Sequence, residues 1–165
     1  MATRHIWPNN SSRAHVKPGT MYSALTVLLP MSLRAVPAII AAWTGRVCRT
    51  MTSEALRPHL LEADMVVFAT PLYYFGFSSQ LKAVIDRFYA INGQIKGAAK
   101  KAALLMTYAD TAPREAEPLL SHYEALTEYL GWKSVGTVVA PGVWTAGAVR
   151  DTRYARQAYR LGKDL

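Results

Sequence analysis

Four aromatic rings lie close together in one short segment of the chain, residues 71–77, which reads Pro-Leu-Tyr-Tyr-Phe-Gly-Phe. We call this segment the aromatic loop. It would expose more apolar area than a monomer normally leaves to water, so we expect a flat ligand to cover it. Gly76 permits a close approach of the backbone to such a ligand. The alternative is that the rings pack in a local cluster or beneath a neighbouring subunit.

The residues on either side of the aromatic loop predict a strand and a helix. Met65 to Ala69 is an unbroken apolar run, and Pro71 ends it because proline has no N–H for a ladder hydrogen bond. Ser78 and Ser79 can cap a helix whose apolar positions, three and four apart, are Leu81, Val84, Ile85 and Phe88. A strand followed directly by a helix is a unit of a parallel sheet, and such sheets bind ligands at the carboxyl ends of their strands. The aromatic loop is therefore predicted to lie at a binding edge.

The same alternation continues to the end of the chain. Ala102 to Tyr108 and Lys133 to Ala140 are predicted strands, and a helix from Pro118 to Gly131 separates them. After a loop at Pro141 to Val149, Asp151 is predicted to open a last helix. Three strands alternating with helices predict a doubly wound α/β domain with helices on both faces of a parallel sheet. The last helix would place Tyr154, Ala158 and Leu161 on its apolar side and Arg153, Arg156, Arg160 and Lys163 toward solvent.

The run from Ala69 to Arg87 resembles a known family. It is similar to the second flavin-contacting loop and following helix of the flavodoxin-like NAD(P)H-dependent FMN reductases, whose motif is Ser/Thr-Pro-x-Tyr followed by Ser-x-x-Leu-Lys-x-x-x-Asp-Arg. The resemblance extends over about residues 61–165. It implies a three-layer flavodoxin-like fold in which this part supplies the last three strands of a five-stranded parallel sheet. It also implies FMN and NAD(P)H as cofactors, a small-molecule electron acceptor and a homodimer.

The resemblance assigns FMN contacts to three segments. The aromatic loop would lie against the isoalloxazine ring, and the loop at Tyr108 resembles the third flavin-contacting segment. The FMN phosphate would be held by an N-terminal loop at the start of a helix. Residues 9–13 resemble the family's Asn-Gly-Ser-Pro-Arg only faintly, and residues 19–20 resemble its Gly-Asn-Thr equally faintly. The implied ring-end contacts are Thr70, Pro71, Leu72, Tyr73, Tyr74, Phe75, Gly76, Ser78, Tyr108, Ala109 and Asp110. The implied phosphate contacts are Ser11, Ser12, Arg13 and Thr20.

The first sixty residues fit this fold poorly. Thr3 to Pro8 would make a poor central strand, because Pro8 forfeits a ladder bond and Arg4 and His5 would need burial. These sixty residues carry seven Lys or Arg and one acid, hence 7 − 1 = +6 of the total formal charge of +8. An excess of basic over acidic residues can indicate nucleic-acid binding, but these residues contain no base-stacking platform and no recognised nucleic-acid motif. We therefore expect an atypical or incomplete N-terminal part and no nucleic-acid partner.

A shifted reading frame would explain this N-terminal part. Met51-Thr52 is encoded by ATG-ACN, and reading from the third nucleotide of the Met51 codon gives GAC, the codon for Asp. The resembling family often carries an Asp-Asp-hydrophobic run at this point. We hypothesise that part of residues 1–53 is translated from a shifted frame. The nucleotide sequence tests this, because a single insertion or deletion should then restore an apolar strand and a Gly-Ser-rich loop.

A membrane span is the competing interpretation of Met21 to Trp43, which is apolar over the length of a bilayer. Pro30 and Pro37 interrupt the run, and Arg34 near its centre is costly to insert. The run also begins too late for a cleaved signal peptide. We expect two short buried elements joined at Pro30 to Pro37, and no membrane partner.

The whole chain, residues 1–165, is predicted to form one domain. The single cysteine, Cys48, excludes a disulfide framework and an iron–sulfur cluster, and the scattered histidines predict no metal site. We expect the protein to be located in the cytoplasm. The sequence predicts an FMN-dependent NAD(P)H oxidoreductase acting on a quinone, a flavin or a nitro- or azo-aromatic compound, with no catalytic side chain. The alternatives are a flavin-free flavodoxin-like binding module and an inactive product of a frame-disrupted reductase gene.

Overall fold

A single parallel sheet organises the described part of the chain. The computed structural model describes residues 38–42, 53–145 and 147–163. The four strands of the described sheet lie in chain order and are all parallel. They are β1 (Ala38–Ala42), β2 (Met65–Pro71), β3 (Lys101–Thr107) and β4 (Lys133–Ala140).

Helices connect the strands and cover the sheet. The described α-helices are α1 (Ser53–Glu62), α2 (Ser79–Asp86), α3 (Asn92–Ile95), α4 (Glu117–Leu130) and α5 (Arg153–Lys163). A 3-10 helix at Arg87–Ile91 extends α2, and another at Pro113–Glu115 precedes α4. Each described crossover therefore passes through a helix. For the two crossovers after β2 this confirms the prediction from the sequence, whereas α1 was not predicted.

The sheet has a hydrophobic core on each face, because successive side chains of a strand point to opposite sides. Val66 and Phe68 of β2 pack in the core that contains the buried side chains of α2 and α4. Met65 and Val67 pack in the other core, which contains Ala158 of α5. The predicted doubly wound α/β arrangement with helices on both faces is confirmed.

The strand ends are aligned at one edge of the sheet. In the register of the three long strands, Pro71 pairs with Thr107 and Thr107 pairs with Ala140. Beyond these ends the Leu72 N–H donates to the Thr107 carbonyl at 2.8 Å, and the Tyr108 N–H donates to the Ala140 carbonyl at 3.0 Å. The loops that leave β2, β3 and β4 are thus fixed side by side, within about 10 Å of one another at the usual strand spacing.

The helix ends follow the sequence signals with one exception. The Ser78 hydroxyl accepts the Leu81 N–H at 3.3 Å and caps α2, and Gly131 ends α4 with the left-handed φ of 67°. The prediction that Asp151 opens the last helix is wrong by two residues. The helix begins at Arg153, because the Thr152 hydroxyl accepts the Tyr154 N–H at 3.2 Å.

The N-terminal predictions fall mostly outside the described residues. The run Met21 to Trp43 contributes one described element, β1, and its five residues pair with β2 from Ala38↔Met65 to Ala42↔Ala69. Within the described ranges, no helix is both long and apolar enough to cross a bilayer. The strand assignment for Ala38–Ala42 agrees with a short element after Pro37.

Trp132 ties the start of β4 to the turn after α3, and we expect its loss to be costly. Its indole N–H donates to the buried Ile95 carbonyl at 2.8 Å, and its ring packs 6.0 Å from that of Phe88. Trp132→Phe should lower the free energy of unfolding by about 1–3 kcal/mol, because the smaller ring leaves a gap in the core and the Ile95 carbonyl keeps only the longer bond from the Ala98 N–H at 3.3 Å. Urea denaturation measures this. Trp144→Phe is the control, because the Trp144 ring is 72% exposed. It should change the free energy of unfolding by less than about 0.5 kcal/mol. Equal effects of the two variants would contradict a stabilising role for Trp132.

Candidate functional site

The tip of the aromatic loop is a tight turn with two strained residues. The Tyr73 N–H donates to the Gly76 carbonyl at 3.2 Å, and the Gly76 N–H donates to the Tyr73 carbonyl at 3.1 Å. Between them Tyr74 and Phe75 have φ of 45° and 65°. Two positive φ values in a two-residue turn form the type I′ pattern, which normally selects Asn-Gly. Aromatic side chains there cost conformational energy, and such strain is concentrated at functional sites.

The strained turn exposes most of its aromatic surface. Tyr74 is 100% exposed, Phe75 is 52% exposed and Tyr73 is 43% exposed. Phe77 differs: it is buried, with its ring 6.3 Å from Phe68 and 5.0 Å from His122. The alternative of a local cluster is therefore correct for one ring of four. The other three project outward at the carboxyl edge of the sheet.

The root of the aromatic loop is rigid and buried. The Thr70 hydroxyl accepts the Ser78 N–H at 3.2 Å and donates to the Pro71 carbonyl at 2.8 Å. Thr70, Pro71 and Ser78 are all buried, and Leu72 packs partly against the core. These four residues, predicted as flavin contacts, thus hold the two ends of the loop together. The exposed turn is positioned by this closed root.

The second predicted segment, Tyr108 to Asp110, lies beside the root of the aromatic loop. The Tyr108 carbonyl accepts the Val143 N–H at 2.8 Å, and the Asp110 carbonyl accepts the Gly142 N–H at 2.9 Å. Burial raises the pKa of the Tyr108 phenol, and nearby Glu115, Tyr154 and Asp110 raise it further. Tyr108 is therefore neutral at physiological pH. Ala109 is half-buried, and Asp110 is exposed.

Three polar groups at this same edge have no hydrogen-bond partner among the described residues. Thr107 is buried at the end of β3, and its hydroxyl has no hydrogen-bond partner among the described residues. In the strained turn, the Tyr74 and Phe75 N–H groups also lack an acceptor within the described part of the chain. Our sequence analysis did not single out Thr107. The available signal was a lone hydroxyl at the end of the apolar run from Ala102.

The loop after β4 forms the third side of this edge. Its Val143 is buried beside the Tyr108 backbone, whereas Trp144 next to it is 72% exposed. The edge therefore presents large rings from two separate loops, those of β2 and β4. The predicted phosphate contacts Ser11, Ser12, Arg13 and Thr20 lie outside the described residues.

The match to known families covers the same part of the chain as the site. A family model described as a flavodoxin-like fold matches residues 50–164. The chain belongs to this flavodoxin-like family. The resemblance in the aromatic loop and its helix is thereby confirmed. The matched range leaves out residues 1–49, which make up most of the stretch 1–53 to which the frame hypothesis applies.

Individual proteins similar to this flavodoxin-like chain share fewer than half of the aligned residues with it. YwqN of Bacillus subtilis (strain 168), named as an NAD(P)H-dependent FMN-containing oxidoreductase, is 26% identical over 117 residues, which are 67% of this chain and 65% of YwqN. An FMN-dependent NADH:quinone oxidoreductase of Beijerinckia indica is 39% identical over 85 residues, 46% of this chain and 42% of that protein. The structure of the Trp repressor binding protein from Bacillus subtilis has a TM-score of 0.59 at 25% identity, covering 66% of this chain and 69% of that one. The chain thus spans about two thirds or less of the curated relatives described here.

The strained turn predicts a stability gain from a substitution that removes its rings. Tyr74→Asn/Phe75→Gly provides the residue pair that type I′ turns prefer and should raise the free energy of unfolding by about 1 kcal/mol or more. Urea denaturation measures the change. Tyr89→Asn is the control, because Tyr89 is exposed in a helical turn with no positive φ. A double variant less stable than the wild type would show that the rings stabilise the turn.

Proposed function

We propose that this chain is an FMN-dependent NAD(P)H oxidoreductase that reduces a quinone, a flavin or a nitro- or azo-aromatic acceptor. The observation that carries the proposal is the strained, exposed turn at Tyr74 and Phe75 on the carboxyl edge of a flavodoxin-like sheet. The names of YwqN and the Beijerinckia protein support the cofactors and a quinone as one acceptor class. We also propose a cytoplasmic location.

The residues at the edge fit the ring end of FMN. An isoalloxazine has two apolar faces and a polar edge, and the site offers rings at Tyr73, Tyr74 and Phe75. The Tyr74 and Phe75 N–H groups have no acceptor within the described residues and can donate to the flavin's carbonyl and nitrogen atoms. The buried Thr107 hydroxyl is a further polar group near this edge.

When bound, FMN would accept two electrons as hydride from NAD(P)H and pass them to the acceptor, so the cofactor supplies the redox chemistry. The described residues would then bind and orient it. The rings of the turn would exclude water from one face, while the other stays open for nicotinamide and acceptor to alternate. Tyr108, a phenol whose pKa burial raises further above its ordinary value, and Asp110 would adjust the polar edge of the ring. No side chain is proposed as a nucleophile, acid or base.

Titration with FMN is the direct test of the proposed function. The purified protein should quench flavin fluorescence and become yellow, and the holoprotein should oxidise NADH or NADPH with a quinone present. Tyr74→Ala should weaken FMN binding by roughly 1–3 kcal/mol, because a stacking-sized contact is lost. Tyr89→Ala, at an exposed ring beyond the far end of α2, should leave it unchanged. Equal affinities of the wild type and Tyr74→Ala would exclude Tyr74 from the flavin site.

Gly76 offers an independent test of backbone approach. Among the described residues other than its chain neighbours, the atom nearest to a Cβ at this position would be the Tyr73 carbonyl oxygen at 3.9 Å, and φ at Gly76 is not positive. Gly76→Ala should therefore preserve stability but weaken FMN binding at least about tenfold, if the ring lies against this backbone. Flavin fluorescence and urea denaturation separate the two effects. Unchanged FMN affinity would mean that the flavin does not approach Gly76.

A flavin-free binding module is the second candidate, because the family match begins only at residue 50. FMN also needs donors for its phosphate, and the candidates for that role precede the match. Loss of several charge-assisted hydrogen bonds to the phosphate, each contributing about 1.5–3 kcal/mol, would lower the affinity for FMN by about four or more orders of magnitude. A chimera with a Gly-Ser-Pro-Arg-bearing N-terminal half should then bind FMN far more tightly. Nanomolar affinity of the unaltered chain for FMN would exclude a flavin-free module. It would equally exclude an inactive product of a frame-disrupted gene.

We also propose a homodimer whose partner completes the site beside the exposed rings of the aromatic loop and Trp144. Exposed aromatic area of this extent is typical of interfaces. Light scattering at micromolar concentration should give twice the monomer mass, and Trp144→Ser should shift the equilibrium toward monomer. A strictly monomeric mass for the wild type would exclude a site shared between subunits.

A further inference from the structure

The positive charge of the described residues is concentrated on α5 and the turn before it. Residues 150–163 contain five cations and one acid, Asp151. Four of the cations are spaced three, four and three residues apart, which places them in one stripe along the helix. All five are exposed: Arg150, Arg153, Arg156, Arg160 and Lys163.

The first cation of this stripe is held in place by its neighbour. The guanidinium of Arg153 lies 4.9 Å from the ring centroid of Tyr154 and donates from Nη2 to the Tyr154 hydroxyl at 3.0 Å. Among the described residues, no carboxylate lies within ion-pair distance of Arg153. Arg153 is exposed, so its remaining N–H groups are accessible to solvent. This leaves a planar cationic fork available to an anion.

Tyr154 links this arginine to the proposed flavin site. It packs partly against the core on the α5 face, and its proximity raises the pKa of Tyr108 at the end of β3. Tyr108 is in turn bonded to the loop that leads into α5, through the Val143 N–H. The start of α5 thus adjoins the edge at which the three loops meet.

The two sides of this edge differ in charge. On the α4 side, desolvation and the neighbouring Asp110 carboxylate raise the pKa of Glu115, so two acids lie close together there. On the α5 side, Arg150 and Arg153 precede the rest of the basic stripe. An elongated ligand with an anionic end would be attracted toward α5 and repelled from the α4 side.

We propose that Arg153, assisted by Arg150, binds the phosphates of the nicotinamide dinucleotide and selects NADPH over NADH through the additional ribose phosphate. The inference rests on the proposed function, because it requires a nicotinamide that reaches the flavin. An arginine fork suits a phosphate dianion, which NADPH carries and NADH lacks. Lysine at the same position would retain the charge but lose bidentate hydrogen bonding.

The experiment compares two arginines of one stripe in the FMN-loaded full chain. Arg153→Gln should lower the ratio of kcat/KM for NADPH to that for NADH at least about tenfold, and Arg153→Lys should give an intermediate ratio. Arg160→Gln is the matched control, since Arg160 is exposed on the same stripe about 10 Å farther along the helix. Its ratio should equal that of the wild type. An unchanged ratio in Arg153→Gln, or an equal loss in Arg160→Gln, would overturn the proposal.

A binding measurement separates this inference from the proposed function. Calorimetry with 2′-phospho-ADP-ribose and with ADP-ribose, neither of which can transfer hydride, reports the phosphate preference without turnover. The wild type should bind the phosphorylated ligand more tightly, and Arg153→Gln should remove most of that difference. Equal binding of the two ligands to the wild type would refute the arginine site even if the enzyme oxidises NADH. Retained preference with no flavin-dependent activity would instead contradict the proposed function alone.

Discussion

The hydrogen-bonded register of three parallel strands is the constraint on which the candidate site depends. Because Pro71, Thr107 and Ala140 pair across the sheet, three loops distant in sequence leave it at one level. Two further backbone bonds, from the Leu72 and Tyr108 N–H groups, continue the pairing beyond the strands. A shift of one residue in this register would invert the faces of a strand and separate the loops. The position of the site is therefore a property of the sheet.

The aromatic loop combines a stable root with a strained tip. Thr70 and Ser78 close the root through buried hydrogen bonds, whereas Tyr74 and Phe75 occupy a conformation that suits asparagine and glycine better. A rigid support can hold an unfavourable turn because the core packing of the flanking elements outweighs the local cost. The rings at the tip are then available for binding, since the protein's own core uses only Phe77. Residues 70–78 thus combine a buried root with an exposed tip, which explains why an apolar loop is exposed.

The faces of the domain also differ in charge. The α5 face carries the basic stripe, and the loop toward α4 carries the Asp110 and Glu115 carboxylates. The carboxylates follow β3, and Arg150 and Arg153 follow the loop after β4, so charges of opposite sign come after neighbouring strands of the sheet. Such a separation of charge orients elongated charged ligands before specific contacts form. A difference in charge can therefore orient a ligand along this edge, which the apolar rings alone cannot do.

The sequence by itself determined the order of the main strands and helices from β2 onward and most of their bounds, but it did not predict α1 or α3. Apolar runs and capping residues such as Ser78 and Gly131 are local signals, and each acts within a few residues of itself. For this reason β2, α2, α4 and β4 could be predicted closely, and the motif from Thr70 to Arg87 indicated the family. The start of α5 was misplaced because Asp151 and Thr152 are both good caps, and only the backbone geometry selects between them.

Tertiary structure decided which predicted site residues are exposed and which support them. The sequence placed Thr70, Pro71, Ser78 and Tyr74 in one set of contacts, yet only Tyr74 is open to solvent. Burial depends on partners far along the chain, such as His122 against Phe77, and no local pattern reports them. The same holds for the unpartnered Thr107 hydroxyl and for the proximity of Tyr154 to Tyr108. Local preferences fix the elements, whereas the exposure and pairing of side chains follow from contacts between them.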